Sequence, residues 1–285
     1  MNTLFIHTNY KQMLGAKLAK YSFEKEAGPH GTFEVKLIIA EELPEMQHFV
    51  GTTFLTGGRL RTYSFSNLQS FTLTRFKAPE LMGYQGRAIV IDPDIFALPG
   101  TDIGELFTLD LEEHSLAACW REKKGVWESS VMVLDCTRLK HWKLSLILTE
   151  LAKQKTDQSK YMWLTDESVK LLPWGWNSMD AINADSKILH TTIRLTQPWK
   201  TGLKIDFTQK ALPKIFGIIP REPLYGLLGK YPTHYLPHPD TEVVDFFFNL
   251  LKSALRDGVL SEKEIEYDIE NKNVRPDIFE VLKNY

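Results

Sequence analysis

The chain has 285 residues, of which 43% are hydrophobic and 25% charged, enough apolar material for one large α/β domain or a domain with an appendage. A formal net charge of −2 gives no electrostatic footprint for nucleic acid, so we expect no nucleic-acid partner. No apolar run approaches the roughly 20 residues of a membrane helix, and the first residues turn polar too soon for a signal peptide, so we expect a cytoplasmic protein without a transmembrane segment.

The chain opens with a predicted β-α-β unit. Thr3–Ile6 is apolar and strand-like, His7–Tyr10 is the loop that leaves it, and helical spacing of apolar residues starts near Gln12. Phe33–Ile39 is the second predicted strand, so the two strands should be parallel and joined by a right-handed crossover. The loop contains no Gly-x-Gly-x-x-Gly, which argues against a dinucleotide-binding fold. Residues 41–70 are polar and irregular, and they predict a long functional or mobile loop.

The middle of the chain alternates further predicted helices and strands, as in a mixed sheet flanked by helices. Cys119 and Cys136 lie in apolar, strand-like runs, which favours buried thiols in a reducing compartment over a disulfide. The predicted elements are a helix over 71–82, strands over 88–91, within 105–120, over 130–135 and over 187–190, a helix over 139–153 and a turn over 171–177.

The predicted strand Ala88–Ile91 ends on two carboxylates, Asp92 and Asp94, with one proline between them. A run of four apolar residues is typical of a strand that is covered on both faces of a sheet. The chain must surface at Asp92, at the carboxyl end of the strand, where open α/β sheets bind ligands. Pro93 fixes its own φ and favours extended geometry at Asp92, so the bend is stiff. Two hard oxygen ligands on such a turn suit a divalent cation that also holds a diphosphate, although a plain polar turn has the same letters.

The last part of the chain has a different composition. Residues 200–240 are rich in proline and predict extended, wrapping chain. Thr241–Leu260 predicts a strong amphipathic helix, and Ser261 with Glu264 forms a capping box that starts another. The predicted domains are a catalytic domain over residues 1–205 and a helix-rich extension over residues 206–285.

Taken in order, several segments resemble motifs of the retaining GT-A glycosyltransferases, of the glycogenin and bacterial lipopolysaccharide galactosyltransferase kind. The resemblance spans residues 3–200 and places Asp92-Pro93-Asp94 at the Asp-x-Asp metal motif of that family. The other matching segments are Thr8-Asn9-Tyr10, Thr74-Arg75-Phe76, Ser129–Asp135, Leu172-Pro173 with Trp176-Asn177, and His190 with Gln197-Pro198-Trp199.

The resemblance implies a GT-A-type, Rossmann-like mixed sheet and gives roles to individual residues. Asp92, Asp94 and His190 would hold Mn²⁺, or Mg²⁺, against the donor diphosphate, and the nitrogen ligand favours Mn²⁺. Arg75 would contact the donor, and with Asp92 and Asp94 it forms the expected catalytic set. The remaining expected donor contacts are Thr8, Asn9, Tyr10 and Lys200, with Arg194 as the alternative to Lys200.

The sequence departs from the family's pattern around the sugar pocket. Glu128 and Ser130 replace an asparagine and a glycine, and Gln197 replaces a lysine. The acidic residue and glutamine that the family places near the sugar have two alternative matches, Asp157-Gln158 and Asp166-Glu167.

The resemblance implies transfer of a hexose from a nucleotide diphosphate sugar to a hydroxyl acceptor, with retention of configuration and a UDP-sugar as the expected donor. Two alternatives stay open. A nucleotidyltransferase that makes such sugars would need a glycine-rich loop with Arg and Lys after the first strand, and His7–Tyr10 lacks it. A non-catalytic sugar-nucleotide-binding or scaffold protein would bind the donor without turnover.

Overall fold

The computed structural model describes residues 2–28, 32–207 and 231–285. The chain forms two compact units, Met1–His190 and Thr191–Tyr285. The domain boundary predicted after residue 205 falls within the range of the second unit, and it stays a prediction. Within the described ranges, no helix combines the length and the apolarity that crossing a membrane requires.

The first unit has the mixed α/β fold that the sequence predicts. Its strands are β1 (Asn2–Thr8), β2 (Phe33–Ile39), β3 (Thr53–Thr56), β4 (Arg59–Thr62), β5 (Arg87–Ile91), β6 (Ile95–Ala97), β7 (Leu116–Arg121), β8 (Val126–Asp135), β9 (Val169–Leu171), β10 (Ser178–Met179) and β11 (Ile188–His190). The main sheet has the order β2-β1-β5-β8-β7-β9. β1 is parallel to both β2 and β5, and β8 is antiparallel to β5.

Helices flank this sheet in the first unit. They are α1 (Met13–Lys25), α2 (Pro44–Phe49), α3 (Ala78–Leu81), α4 (Gly104–Thr108), α5 (Leu144–Ala152) and α6 (Gln158–Met162), with 3-10 helices at Tyr10–Gln12, Ala40–Glu42, Ser70–Lys77, Glu122–Lys124, Cys136–Arg138 and Trp174–Asn177. The parallel β1-α1-β2 opening is therefore confirmed.

The strand β5 lies in the middle of the sheet, between β1 and β8. Ile89, Val90 and Ile91 are fully buried, and full burial of such a side chain contributes about 1.5–3 kcal/mol each. The register pairs Ile6 with Ile91, so the residues that follow in β1 and β5 emerge side by side at the same sheet edge. This pairing positions the Asp-Pro-Asp turn.

A small second sheet, with the order β10-β11-β6, continues the chain beyond that turn. β6 begins directly after Asp94, and β11 runs antiparallel to it with His190 opposite Ile95. The hydrogen-bonded ladder therefore carries His190 next to Asp94, although the two residues are far apart in the sequence.

The expectation of an irregular loop over residues 41–70 is wrong. That segment holds α2 and the β3–β4 hairpin, in which Phe54 pairs with Arg61. All four residues of β4, Arg59–Thr62, are exposed, and Leu60 is the one apolar residue among them, so the strand has no apolar face from which it could be recognised.

Two predicted helices differ from the observed ones. The helix predicted over 71–82 is largely the 3-10 helix Ser70–Lys77, followed by the single turn α3. The helix predicted from Leu139 begins only at Leu144, because the Asp135 side chain accepts from the Thr137 amide and stabilises a separate 3-10 turn first.

The second unit contains α7 (Thr241–Arg256), α8 (Glu262–Glu270) and α9 (Ile278–Leu282), with 3-10 helices at Arg194–Thr196 and Pro198–Lys200. Asp240 caps α7, and the predicted capping box of Ser261 and Glu264 is present at α8. The Trp199 ring stacks on Phe247 at 4.9 Å. The part of the predicted extended segment at 208–230 lies outside the described residues.

Candidate active site

The two carboxylates of the Asp-Pro-Asp turn lie at the carboxyl edge of β5, as the sequence predicts. The Asp92 amide still donates to the Ser130 carbonyl at 3.1 Å, so the sheet ladder ends at this residue. The Asp92 side chain is 17% exposed and that of Asp94 is 10% exposed. Both carboxylates are therefore sheltered but not fully buried.

Asp92 is fixed through one of its two oxygens. Its Oδ1 accepts from His7 Nε2 at 2.7 Å and from Arg75 Nη2 at 2.9 Å. Burial raises the pKa of Asp92, but the neighbouring Arg75 and His7 outweigh burial and lower it to about 2. The carboxylate is therefore charged at neutral pH, and Oδ2 accepts neither of these two bonds.

Arg75 is a buried cation, with 1% of its surface exposed. The 3-10 helix Ser70–Lys77 carries it, and its Nε donates to the Thr72 carbonyl at 2.9 Å. Its Nη1 donates to the carbonyl and the hydroxyl of Ser129 at 2.5 and 2.6 Å. A buried guanidinium needs acceptors of this kind, since desolvation without partners is costly. Arg75 thus ties the 3-10 helix to β8 and to Asp92.

His7 completes the support of Asp92. It is fully buried, with Nδ1 at 3.2 Å from the Phe71 carbonyl and Nε2 at 2.7 Å from Asp92. Burial lowers the pKa of His7, and the charge of Arg75 lowers it further. The neutral ring has one N–H, and the shorter contact assigns it to Nε2, donating to the carboxylate.

His190 lies beside Asp94, with Nε2 at 3.5 Å from its Oδ1. The other ring nitrogen, Nδ1, is 2.8 Å from Oδ1 of Asn177, whose amide nitrogen donates to the Ser130 hydroxyl at 3.0 Å. The Asn177 amide is thereby oriented as an acceptor for the Nδ1–H of His190, which leaves the lone pair of Nε2 toward Asp94 in the neutral ring. Burial lowers the pKa of His190, but the bond and charge of Asp94 outweigh it and raise the pKa.

Asp92, Asp94 and His190 each offer a ligand atom, and these atoms all lie within 4.8 Å of one another. Two carboxylate oxygens and one imidazole nitrogen are a donor set that suits Mn²⁺ and, less well, Mg²⁺. Two of the three ligands are hydrogen-bonded to residues behind them, Asp92 to His7 and Arg75, and His190 to Asn177. Hydrogen bonds of this kind orient the ligands in metal sites. The residues present therefore fit a divalent cation.

The predicted nucleotide residues lie at the end of β1 and directly after it, at the same sheet edge. Thr8 and Asn9 are fully buried; the Asn9 amide donates to the Leu68 carbonyl and to Ser70 Oγ, and its oxygen accepts from the Gln12 amide. Tyr10 is 50% exposed. Their roles toward a donor stay predictions; the structure shows that Asn9 shapes the loop from which the Tyr10 ring emerges.

Lys200 belongs to the second unit, where it is fully buried and donates to the Asn273 carbonyl at 3.1 Å. Its expected donor contact stays a prediction.

Two further residues concern the predicted sugar pocket. Glu128, which replaces an asparagine of the family's pattern, pairs with Arg121 Nε at 2.5 Å. Asp157 caps α6 and accepts from the amides of Gly57 and Gly58 at 2.9 and 2.7 Å.

Two residues of the site, His7 and Asn177, were not assigned roles from the sequence. His7 was placed in a loop, whereas β1 extends to Thr8 and its parallel register with β5 sets His7 beside Asp92. The signal that could have found it is the pairing of the two predicted strands, because parallel neighbours end at the same edge. Asn177 belongs to the matching segment Trp176-Asn177, but the sequence gives it no role, and the β10–β11 pairing brings its segment to His190.

No family model matches the chain, and no curated protein sequence matches it. Solved structures with a similar fold do exist. The chain resembles glycosyltransferases. A galactosyltransferase, LgtC, solved with donor and acceptor sugar analogues, is 14% identical, with 70% of this chain and 89% of that chain covered and a TM-score of 0.48. The glycosyltransferase GlyE of Streptococcus pneumoniae TIGR4 is 14% identical, with coverages of 81% and 64% and a TM-score of 0.49. Mouse xyloside xylosyltransferase 1 is 14% identical, with coverages of 68% and 98% and a TM-score of 0.42.

Proposed function

We propose that the protein is a metal-dependent glycosyltransferase that moves a hexose from a nucleotide diphosphate sugar, with UDP as the nucleotide, to a hydroxyl acceptor. The observation that carries the proposal is the meeting of Asp92, Asp94 and His190 within 4.8 Å at one sheet edge. Three ligands come from two strand ends, and two of them, Asp92 and His190, are hydrogen-bonded to a buried neighbour, which is more than a polar turn requires. Retention of configuration, Mn²⁺ as the metal and UDP as the nucleotide rest on the resemblance of the sequence motifs.

The residues of the chain have distinct tasks in this proposal. Asp92, Asp94 and His190 would hold the cation, which when bound neutralises the charge of a diphosphate leaving group. Arg75 keeps Asp92 ionised and in place, because its guanidinium lies 2.9 Å from the carboxylate in a buried setting. The half-exposed Tyr10 ring would cover the base of the nucleotide. This assignment changes the expected task of Arg75 from a donor contact alone to positioning of a metal ligand.

The deciding experiment is turnover. UDP release from a panel of UDP-hexoses should require Mn²⁺ and should stop in EDTA. Asp94→Asn should abolish it, whereas Glu112→Gln, which replaces a carboxylate that is 60% exposed and paired with Lys170, should not. Metal-dependent UDP binding without release of UDP from any sugar would favour the non-catalytic binding protein instead.

A further inference from the structure

The first unit contains a cavity of about 590 Å³ whose lining does not include the carboxylates of the Asp-Pro-Asp turn. Its volume is within the 300–1,000 Å³ range of small-ligand sites. Its walls are the segment from Pro173 to Met179 and the loop from Asn183 to Lys187. Neither wall contains Asp92 or Asp94.

The two walls are fastened together at their base. The Lys187 amide donates to the Gly175 carbonyl at 2.8 Å. A Cβ on Gly175 would lie 2.2 Å from the Asp185 carbonyl oxygen, so only glycine permits this close approach. The loop is itself braced, since the Asp185 amide donates to Asn183 Oδ1 at 3.0 Å. The cavity is therefore preformed.

The lining combines aromatic rings with hydrogen-bonding groups. Trp174 is 41% exposed, a large apolar surface to leave in water. Trp176 is buried, and Lys187 Nζ lies 4.8 Å from its ring centroid. The side chains of Asn183 and Asp185 add an amide and a carboxylate to the same cavity.

The charges of the lining argue against a phosphate or another anion as the ligand. Among the lining residues that the structure describes, Lys187 is the only cation, and its Nζ already donates to Glu105 at 3.0 Å. Asp185 would repel a second negative group. A neutral ligand that has both an apolar face and a rim of hydroxyl groups meets all of these features.

We propose that this cavity binds a neutral pyranose unit, with the Trp174 ring against the C–H face of the sugar and Asn183 and Asp185 bonded to its hydroxyls. Asn177 lies in the first wall, and its Oδ1 is 2.8 Å from His190 Nδ1, so the bound sugar would lie near the candidate metal centre. The acceptor is then a carbohydrate chain. The acceptor role rests on the proposed function, whereas the binding of a pyranose does not.

Saturation-transfer NMR on the full chain, without metal or nucleotide, tests the binding. The probes are methyl α-glucoside, methyl β-galactoside, methyl β-N-acetylglucosaminide and lactose. At least one should bind saturably, and Trp174→Ala should weaken it at least about tenfold. Asp185→Asn should weaken it less. The matched control is Trp163→Ala, which removes an indole that is 48% exposed elsewhere in the same unit and should leave binding unchanged.

Failure to bind any of the four probes overturns the proposal. Loss of binding in Trp163→Ala but not in Trp174→Ala also overturns it, because the sugar would then lie in a different cavity. UDP with Mn²⁺ is titrated on the same samples. Saccharide binding without metal-linked UDP binding would refute the glycosyltransferase function and leave the pyranose site standing. Metal-linked UDP binding without saccharide binding would overturn the pyranose site and leave the proposed glycosyltransferase function standing.

Discussion

The ion pair between Arg75 and Asp92 joins a 3-10 helix to the end of β5 across 2.9 Å, with the arginine side chain only 2% exposed. A buried pair of this kind contributes little net stability as long as it is intact, but removal of one partner leaves an uncompensated charge. The local fold around Asp92 therefore depends on the presence of both charges.

Arg75→Ala should destabilise the fold by about 3–5 kcal/mol, because Asp92 and Ser129 lose a buried partner. Arg75→Lys should recover part of this loss, since an ammonium cannot reach all the acceptors that the planar guanidinium serves. Urea unfolding measures both variants. The control is Arg256→Ala, whose side chain is 69% exposed beside Asp257 and should change stability by about 0–1 kcal/mol. A loss in Arg75→Ala no larger than in this control would contradict the description of a buried pair.

The sequence predicted the part of the site that depends on local pattern. The apolar strand that stops on Asp92 and Asp94 identifies a sheet edge, and the β-α-β opening identifies its parallel neighbour. The meeting with His190 depends on the antiparallel pairing of two three-residue strands, β6 and β11, and such short strands carry no periodicity of their own. The resemblance of motifs, not the local pattern, pointed to that histidine. The β3–β4 hairpin was missed because its exposed strand buries no alternate face.

His7 offers a test of how Asp92 is oriented. His7→Phe keeps an aromatic ring against Phe71, whose ring centroid lies 5.1 Å from that of His7, but removes the donor to Asp92. We expect Mn²⁺ affinity, measured by isothermal titration calorimetry, to fall about 10–100-fold, the usual loss when a hydrogen bond that orients a metal ligand is removed.

The matched control for His7 is His141→Phe. His141 also bonds a carboxylate, Glu167, at 2.8 Å, but its side chain is 58% exposed and it is not among the site residues. Its replacement should leave Mn²⁺ affinity unchanged. Equal affinities for wild type and His7→Phe would show that Arg75 alone holds Asp92.

Metal should control nucleotide binding. Asp92 and Asp94 lie in one sheltered place and repel each other without a cation, so a cation should strengthen the binding of a diphosphate. UDP should raise the melting temperature much more with Mn²⁺ than with EDTA, by mass action on the folded state. Asp94→Asn should lose the difference, and Glu112→Gln should keep it. The same shift in Mn²⁺ and EDTA would remove the metal from the binding site.

The last prediction concerns the pH dependence of His190. Its pKa is raised above 6.5, since Asp94 outweighs the effect of burial, and a ligating imidazole must be neutral. Mn²⁺ affinity should therefore fall as the pH drops through this raised pKa, beginning above pH 6.5.

The stability of the metal-free protein should depend on pH in the opposite direction. The contribution of protonated His190 is fully present below the unfolded-state value of 6.5 and is lost as the pH rises through the folded-state pKa. Relative to His190→Asn, the metal-free protein should thus be more stable at pH 6 than at pH 8.5, while its Mn²⁺-induced rise in melting temperature should be larger at pH 8.5. His48→Asn, at an exposed histidine of α2, should reproduce the wild-type profiles. A wild-type Mn²⁺ affinity that does not change between these two pH values would exclude His190 from the metal site.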